Sequence, residues 1–211
     1  FGLEILDYRD VPVNHSILGK DAAANVPVIK HAIIKRPERS KTNFSFDKRL
    51  YNAKQLTRSK LSEALLIQSL HFASLSAQTI VYKALTKAEA LDEFYPDLKN
   101  KKFTTRFCLF HRRFSTNTKT SWDKIQPFRL IGHNGEINTI AGNRSWAKSR
   151  EKMIGAERNE ILTRKNISDS GSLNEMVEAL RYRSSIPNLE DILAIMMPPA
   201  TEENEFYTFW S

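Results

Sequence analysis

"PFRLIGHNGEIN", residues 127–138, joins an apolar run to a polar one without a break. Phe128, Leu130 and Ile131 suit an extended strand, and His133, Asn134 and Gly135 fall where it ends. Asn134 supplies an amide, and glycine at 135 frees the backbone to approach a ligand closely. Together they could donate hydrogen bonds to an oxygen that turns negative during a reaction. The plainer reading of Asn-Gly is a hairpin turn.

Upstream, "RFCLFHRRFS" (106–115) reads as another strand. With period two, Phe107, Leu109, His111 and Arg113 share one face, and Cys108, Phe110 and Arg112 the other. Two earlier runs, "LLIQSLHFASLS" (65–76) and "TIVYKAL" (79–85), read as neighbouring strands, the second rich in β-branched residues. Residues 1–47, punctuated by Pro12, Pro27 and Pro37, predict short extended pieces joined by turns.

Helices flank these strands. "FDKRLYNAKQLTRSKLSE" (46–63) has good helix formers at helical spacing, and "TKAEALDEFYPDL" (86–98) predicts a short helix opened by a Thr86–Glu89 capping box. Residues 143–154, 172–184 and 188–197 predict three more, the middle one with a Ser172–Glu175 box. Strands clustered between helices, without regular alternation, predict an α+β fold with antiparallel sheet layers covered by helices.

The chain has 211 residues and a net charge of +8. That charge favours acidic partners, and Arg144, Lys148 and Lys152 at i, i+4, i+8 are candidate contacts to RNA phosphates. No run approaches the roughly 18 apolar residues of a membrane span, so no membrane association is expected. The single cysteine, Cys108, excludes an internal disulfide framework and a cysteine-cluster metal site. It is compatible with a reducing compartment such as cytoplasm, plastid or mitochondrion.

Three polar clusters stand at strand ends: "HRRFSTNT" (111–118), "HNGEIN" (133–138) and "SDSGS" (168–172). Their chemistry suits a small amino acid. Arg113 can grip a carboxylate with two parallel hydrogen bonds, Asp169 can accept from an ammonium, and Asn134 with Gly135 can serve a developing oxyanion. A surface arginine, a turn and a helix cap are the plainer alternatives for the three.

The block "HRRFSTNT…W…QPFRLIGHNGEINTIAGN…W…SRE", followed by "SDSGSLNEMVEAL", closely resembles the glutaminase domain of glutamate synthases, class II glutamine amidotransferases of the N-terminal-nucleophile hydrolase type. "YRDVPVN", "SLSAQTIVYKAL" and "FYPDL" resemble further pieces of that domain. The resemblance implies that residues 1–211 form a partial class II glutamine amidotransferase domain, with a four-layer αββα sandwich incomplete at its N-terminus. It implies that Arg113 holds the glutamine α-carboxylate, Asp169 the α-ammonium, and Asn134 with Gly135 the oxyanion hole. No metal is implied, and FMN and the iron–sulfur cluster are expected only in other parts of a full glutamate synthase.

The family's nucleophile is an N-terminal cysteine whose own α-amine is the base. This sequence starts at Phe1, and Cys108, placed inside a strand, is expected to be buried and structural. Two functions are therefore expected. One is a glutamine-binding fragment, hydrolysing glutamine to glutamate and ammonia only with an upstream N-terminal cysteine, its partners being glutamine and the remaining glutamate synthase domains. The alternative is a retired enzyme serving as a structural subunit of a larger assembly, such as the ribonucleoprotein of a mitochondrial ribosome. Departures from the family, Arg112 in place of a usual serine and Gln78 in place of a usual arginine, belong to that alternative.

Overall fold

A computed structural model describes residues 1–113, 120–133, 137, 140–155, 160, 162–164, 167–186 and 188–197. Its elements are β1 (Glu4–Asp10), α1 (Lys20–Ala24), β2 (Lys30–Lys35), α2 (Asn43–Glu63), α3 (Leu91–Phe94), α4 (Ile140–Arg150), α5 (Asp169–Arg183) and α6 (Leu189–Met196), with short 3-10 turns between them. The class is mixed helix and sheet, and among the described residues the sheet has two strands.

The proline-punctuated N-terminus forms an antiparallel ribbon in which Glu4 faces Lys35 and Asp10 faces Lys30, with a register shift between Ile5 and Asp7. Ion pairs Lys35–Glu4 (3.2 Å) and Lys30–Asp10 (2.6 Å) close its two ends. Arg9, on β1, forks onto Asp97 with Nη1–Oδ2 and Nη2–Oδ1 distances of 2.7 and 2.6 Å. "YRDVPV" thereby meets "FYPDL", and Val11 joins Phe94, Tyr95 and Trp122 in one buried cluster.

α2 starts three residues before its expected first turn because Thr42 and Ser45 form a reciprocal capping box there. Its buried face carries Phe46, Leu50 and Tyr51. Tyr51 stacks against Tyr182 of α5 at 5.1 Å between ring centroids, within a cluster that includes Leu162, Met176 and Ala179. α6 lays Ile192 against Val177 and Ile131. Burying each such side chain contributes about 1.5–3 kcal/mol, so the α2–α5–α6 packing is the main source of cohesion around the candidate site.

Both capping boxes expected further along are absent. The turn after Thr86 has no side-chain cap, and Glu89 is drawn to Arg112 instead, at 2.8 Å. α5 begins at Asp169, not 172, because Ser168 accepts from the Gly171 N–H; Ser172 lies inside the helix and donates to the Ser168 carbonyl. Glu175 is thus left to an ion pair.

The four inner segments predicted as strands carry no strand ladder among the described residues, and Ile67–Ser69 is a 3-10 turn. Side chains satisfy several backbone groups in and beside them. Asp47 accepts from the Ala77 N–H (2.6 Å), Ser74 from the Val81 N–H (3.1 Å), and Asn174 from the Leu130 N–H (2.9 Å), while Tyr95 donates to the Lys83 carbonyl (2.5 Å). A strand needs a neighbouring backbone as well as β-prone residues. Among the described residues the apolar stretch around Leu109 forms no ladder with one, and Phe107, Leu109 and Phe110 are exposed, as is Cys108, against the expectation that it is buried.

Candidate functional site

Asp169 opens α5 because Ser168 caps the helix, so its carboxylate stands among the first free N–H groups, where negative charge is favoured. Its Oδ1 accepts from the Ser170 N–H at 2.8 Å, and its Oδ2 from the Ile137 N–H at 3.4 Å. The second bond ties the "HNGEIN" loop to the "SDSGS" turn, two clusters 32 residues apart. An ionised carboxylate has about four lone-pair positions, so both oxygens keep capacity for an ammonium.

Asn134 and Gly135 lie outside the described residues. The segment before them is held from two sides. Gln126 donates its side-chain amide to the His133 carbonyl (3.4 Å), and the Leu109 side chain covers Gly132 so closely that a Cβ there would stand 2.5 Å from Leu109 Cδ2. A side chain at 132 would have to displace the Leu109 side chain from this contact.

Arg113 is exposed and borders a shallow surface hollow with Lys87, Glu89 and Arg112. Among the described residues no contact joins it to Asp169. Arg144 turns inward, donating to Ser172 Oγ (2.9 Å) and the Ile167 carbonyl (2.7 Å), and Lys148 pairs with Glu151 at 2.7 Å. Arg144 is therefore committed to holding α4 on the start of α5, which leaves Lys148 and Lys152 as the exposed members of the basic stripe.

Sequence reasoning missed a buried ionic network between α2 and α5. Lys54 and Arg129 both bind Glu178, the latter at 2.7 Å. Arg58 and Arg164 share Glu175 at 3.0 and 2.8 Å. Asp47 lies 3.9 Å from Arg129, and Asp123 lies 3.8 Å from Arg164. Burial pushes the Glu178 carboxyl up, but Lys54 and Arg129 outweigh it and hold it at about 2. Burial and the nearby Lys83 and Arg164 lower His71 to about 2, and burial with Arg164 lowers Lys83 to about 7. The available signal was charged residues at helical spacing among apolar ones: Lys54 with Arg58, and Glu175 with Glu178.

The two joined clusters, "HNGEIN" and "SDSGS", lie in a sequence that the family model for class-II glutamine amidotransferases matches over residues 1–209, and the chain belongs to that family. Its relatives include the chloroplastic ferredoxin-dependent glutamate synthase of Spinacia oleracea, 38% identical over 206 residues, covering 94% of this chain and 12% of that protein. The glutamate synthase [NADPH] large chain of Bacillus subtilis is 40% identical over 224 residues, covering 100% of this chain and 14% of that protein. Ferredoxin-dependent glutamate synthase 2 of Synechocystis sp. is 38% identical over 211 residues, covering 96% and 13%. The chain thus spans about an eighth of the length of these relatives.

Proposed function

We propose that this chain is the glutamine-binding part of the amidotransferase domain of a glutamate synthase. The observation that carries this reading is the Asp169–Ile137 hydrogen bond, which joins the proposed ammonium acceptor to the loop of the proposed oxyanion hole. Arg113 takes the glutamine α-carboxylate through its planar fork, and Asp169 takes the α-ammonium. Asn134 and the Gly135 N–H receive the side-chain oxygen as it gains charge.

Hydrolysis then requires an N-terminal cysteine in the native polypeptide. Its thiolate attacks the side-chain carbonyl carbon, its α-ammonium returns the proton to the departing nitrogen, ammonia leaves, and water releases glutamate from the thioester. In this reading the unpaired segments of the middle of the chain become strands of the two inner sheets of an αββα sandwich. Flavin and iron–sulfur chemistry belongs to other domains, since one cysteine cannot supply the thiolates of a cluster.

Calorimetry with millimolar glutamine tests the binding claim. Saturable heat, abolished in Arg113→Ala and in Asp169→Ala, is expected; no heat from the wild-type chain overturns it. A second reading, a retired domain used as a structural subunit, is favoured by the exposed Phe107, Leu109 and Phe110, a surface suited to a protein partner. RNA contact through the basic stripe has less support, since Arg144 is engaged internally.

A further inference from the structure

Between α2 and α5 lies a cavity of about 30 Å³, lined by Lys54, Arg58, His71, Lys83, Arg164 and Glu175 among others. About 10–15 Å³ accommodates one water-sized body, so a monatomic ion fits and an organic substrate does not. Lys54, Arg58, Arg129 and Arg164 each face a carboxylate of the network. Lys83 does not. Its side chain is buried, with 6% of the residue exposed, and rests over the Phe128 ring at 4.6 Å; among the described residues it has no ion-pair partner.

His71 supplies the second observation. Arg164 Nη1, which can only donate, lies 3.4 Å from His71 Nδ1. Nδ1 is therefore the acceptor in the neutral ring, and the proton sits on Nε2. That Nε2 is buried and, among the described residues, has no hydrogen-bond partner. An unmatched cation and an unmatched N–H donor line the same small cavity, and each costs free energy until an acceptor occupies it.

We propose that this cavity is a binding site for a small inorganic monoanion of the halide class, held by Lys83 Nζ and the His71 Nε2–H. Neutral water would satisfy the histidine but give the lysine no direct counter-charge beyond the longer-range pull of Asp123 and Glu175. Burial of Lys83 already favours loss of its proton, so the bound anion stabilises the ammonium form and ties the His71 and Lys83 segments together through one charge. The site is separate from the glutamine-binding residues, and its test does not depend on them.

The experiment is thermal unfolding of the 211-residue chain at pH 7, exchanging sodium gluconate for sodium chloride at constant ionic strength. A saturable rise in melting temperature is expected, reproduced by bromide and absent in Lys83→Met. No chloride-dependent rise, or the same rise in Lys83→Met, overturns the proposal. Should Lys83→Met fail to fold, the chlorine-35 linewidth of the wild type decides. Broadening that bromide displaces supports the site, and a linewidth equal to that of protein-free buffer overturns it.

Discussion

Arg129 and Glu178 meet at 2.7 Å, Nε to Oε1, while the other carboxylate oxygen of Glu178 receives Lys54. One carboxylate from α5 thus gathers a lysine from α2 and an arginine from the segment that leads to "HNGEIN". Arg129 also donates to the Tyr182 hydroxyl at 3.0 Å, so the junction is satisfied on several sides.

Removing that carboxylate strands two buried cations. Glu178→Ala is expected to cost about 3–5 kcal/mol, read as a lower midpoint in urea unfolding. A loss below 1 kcal/mol would mean that water reaches the site freely.

Acid should act through the same group. Because Glu178 is held at about 2, below its ordinary value of 4.5, the stability it contributes is complete above about 4.5 and is lost as pH falls toward 2. Urea midpoints measured from pH 6 to pH 2 should fall steeply in the wild type and less steeply in Glu178→Gln. Parallel profiles would count against this linkage.

Lys83 predicts a slope of the same sign at higher pH. Its folded value of about 7 lies below the ordinary 10.5, so the unfolded chain binds more protons between those values and stability rises with pH there. In chloride-free buffer that rise should shrink in Lys83→Met. Arg164, Asp123 and Glu175 are the charged groups that act on the same amine, the arginine against its proton and the two carboxylates for it.

The helices were largely legible in the sequence, since good helix formers at helical spacing marked α2, α5 and α6 to within a few residues. Their starts were not, because a cap is chosen by which side chain reaches a free N–H: Ser168 won at α5, and Glu175 went to Arg58 and Arg164. Strands were less legible for a different reason. Residues such as Ile80, Val81 and Phe107 record a preference for extended backbone, whereas a ladder also needs a partner that no local pattern specifies. At the candidate site, the residue types pointed to Asp169 and the "HNGEIN" loop, but only three-dimensional proximity could show the Ile137 N–H on the aspartate. The Lys54–Glu178 contact spans 124 residues and had no local trace.

Exposed Cys108 gives a direct chemical check. A thiol reagent should label one cysteine per native chain at the rate of an open thiol, and Cys108→Ser should leave glutamine binding unchanged. Labelling only after denaturation would contradict the exposure.

The core offers a simple calibration. Ile192 is fully buried against Val177 and Ile131, so Ile192→Ala should cost about 2–5 kcal/mol in urea unfolding. A much smaller cost would show that α6 contributes little to the native state.

The bare stretch from Phe107 to Phe110 also bears on how the chain behaves in a crowded solution. An exposed apolar segment that pairs with no strand among the described residues invites pairing with its own copies, the first step toward aggregation. Lys101, Lys102 and Arg106 precede it, and Arg112 and Arg113 follow. Two copies laid edge to edge would bring these like charges together, so the flanking cations act as gatekeepers that resist self-association while leaving the strip open to an acidic partner.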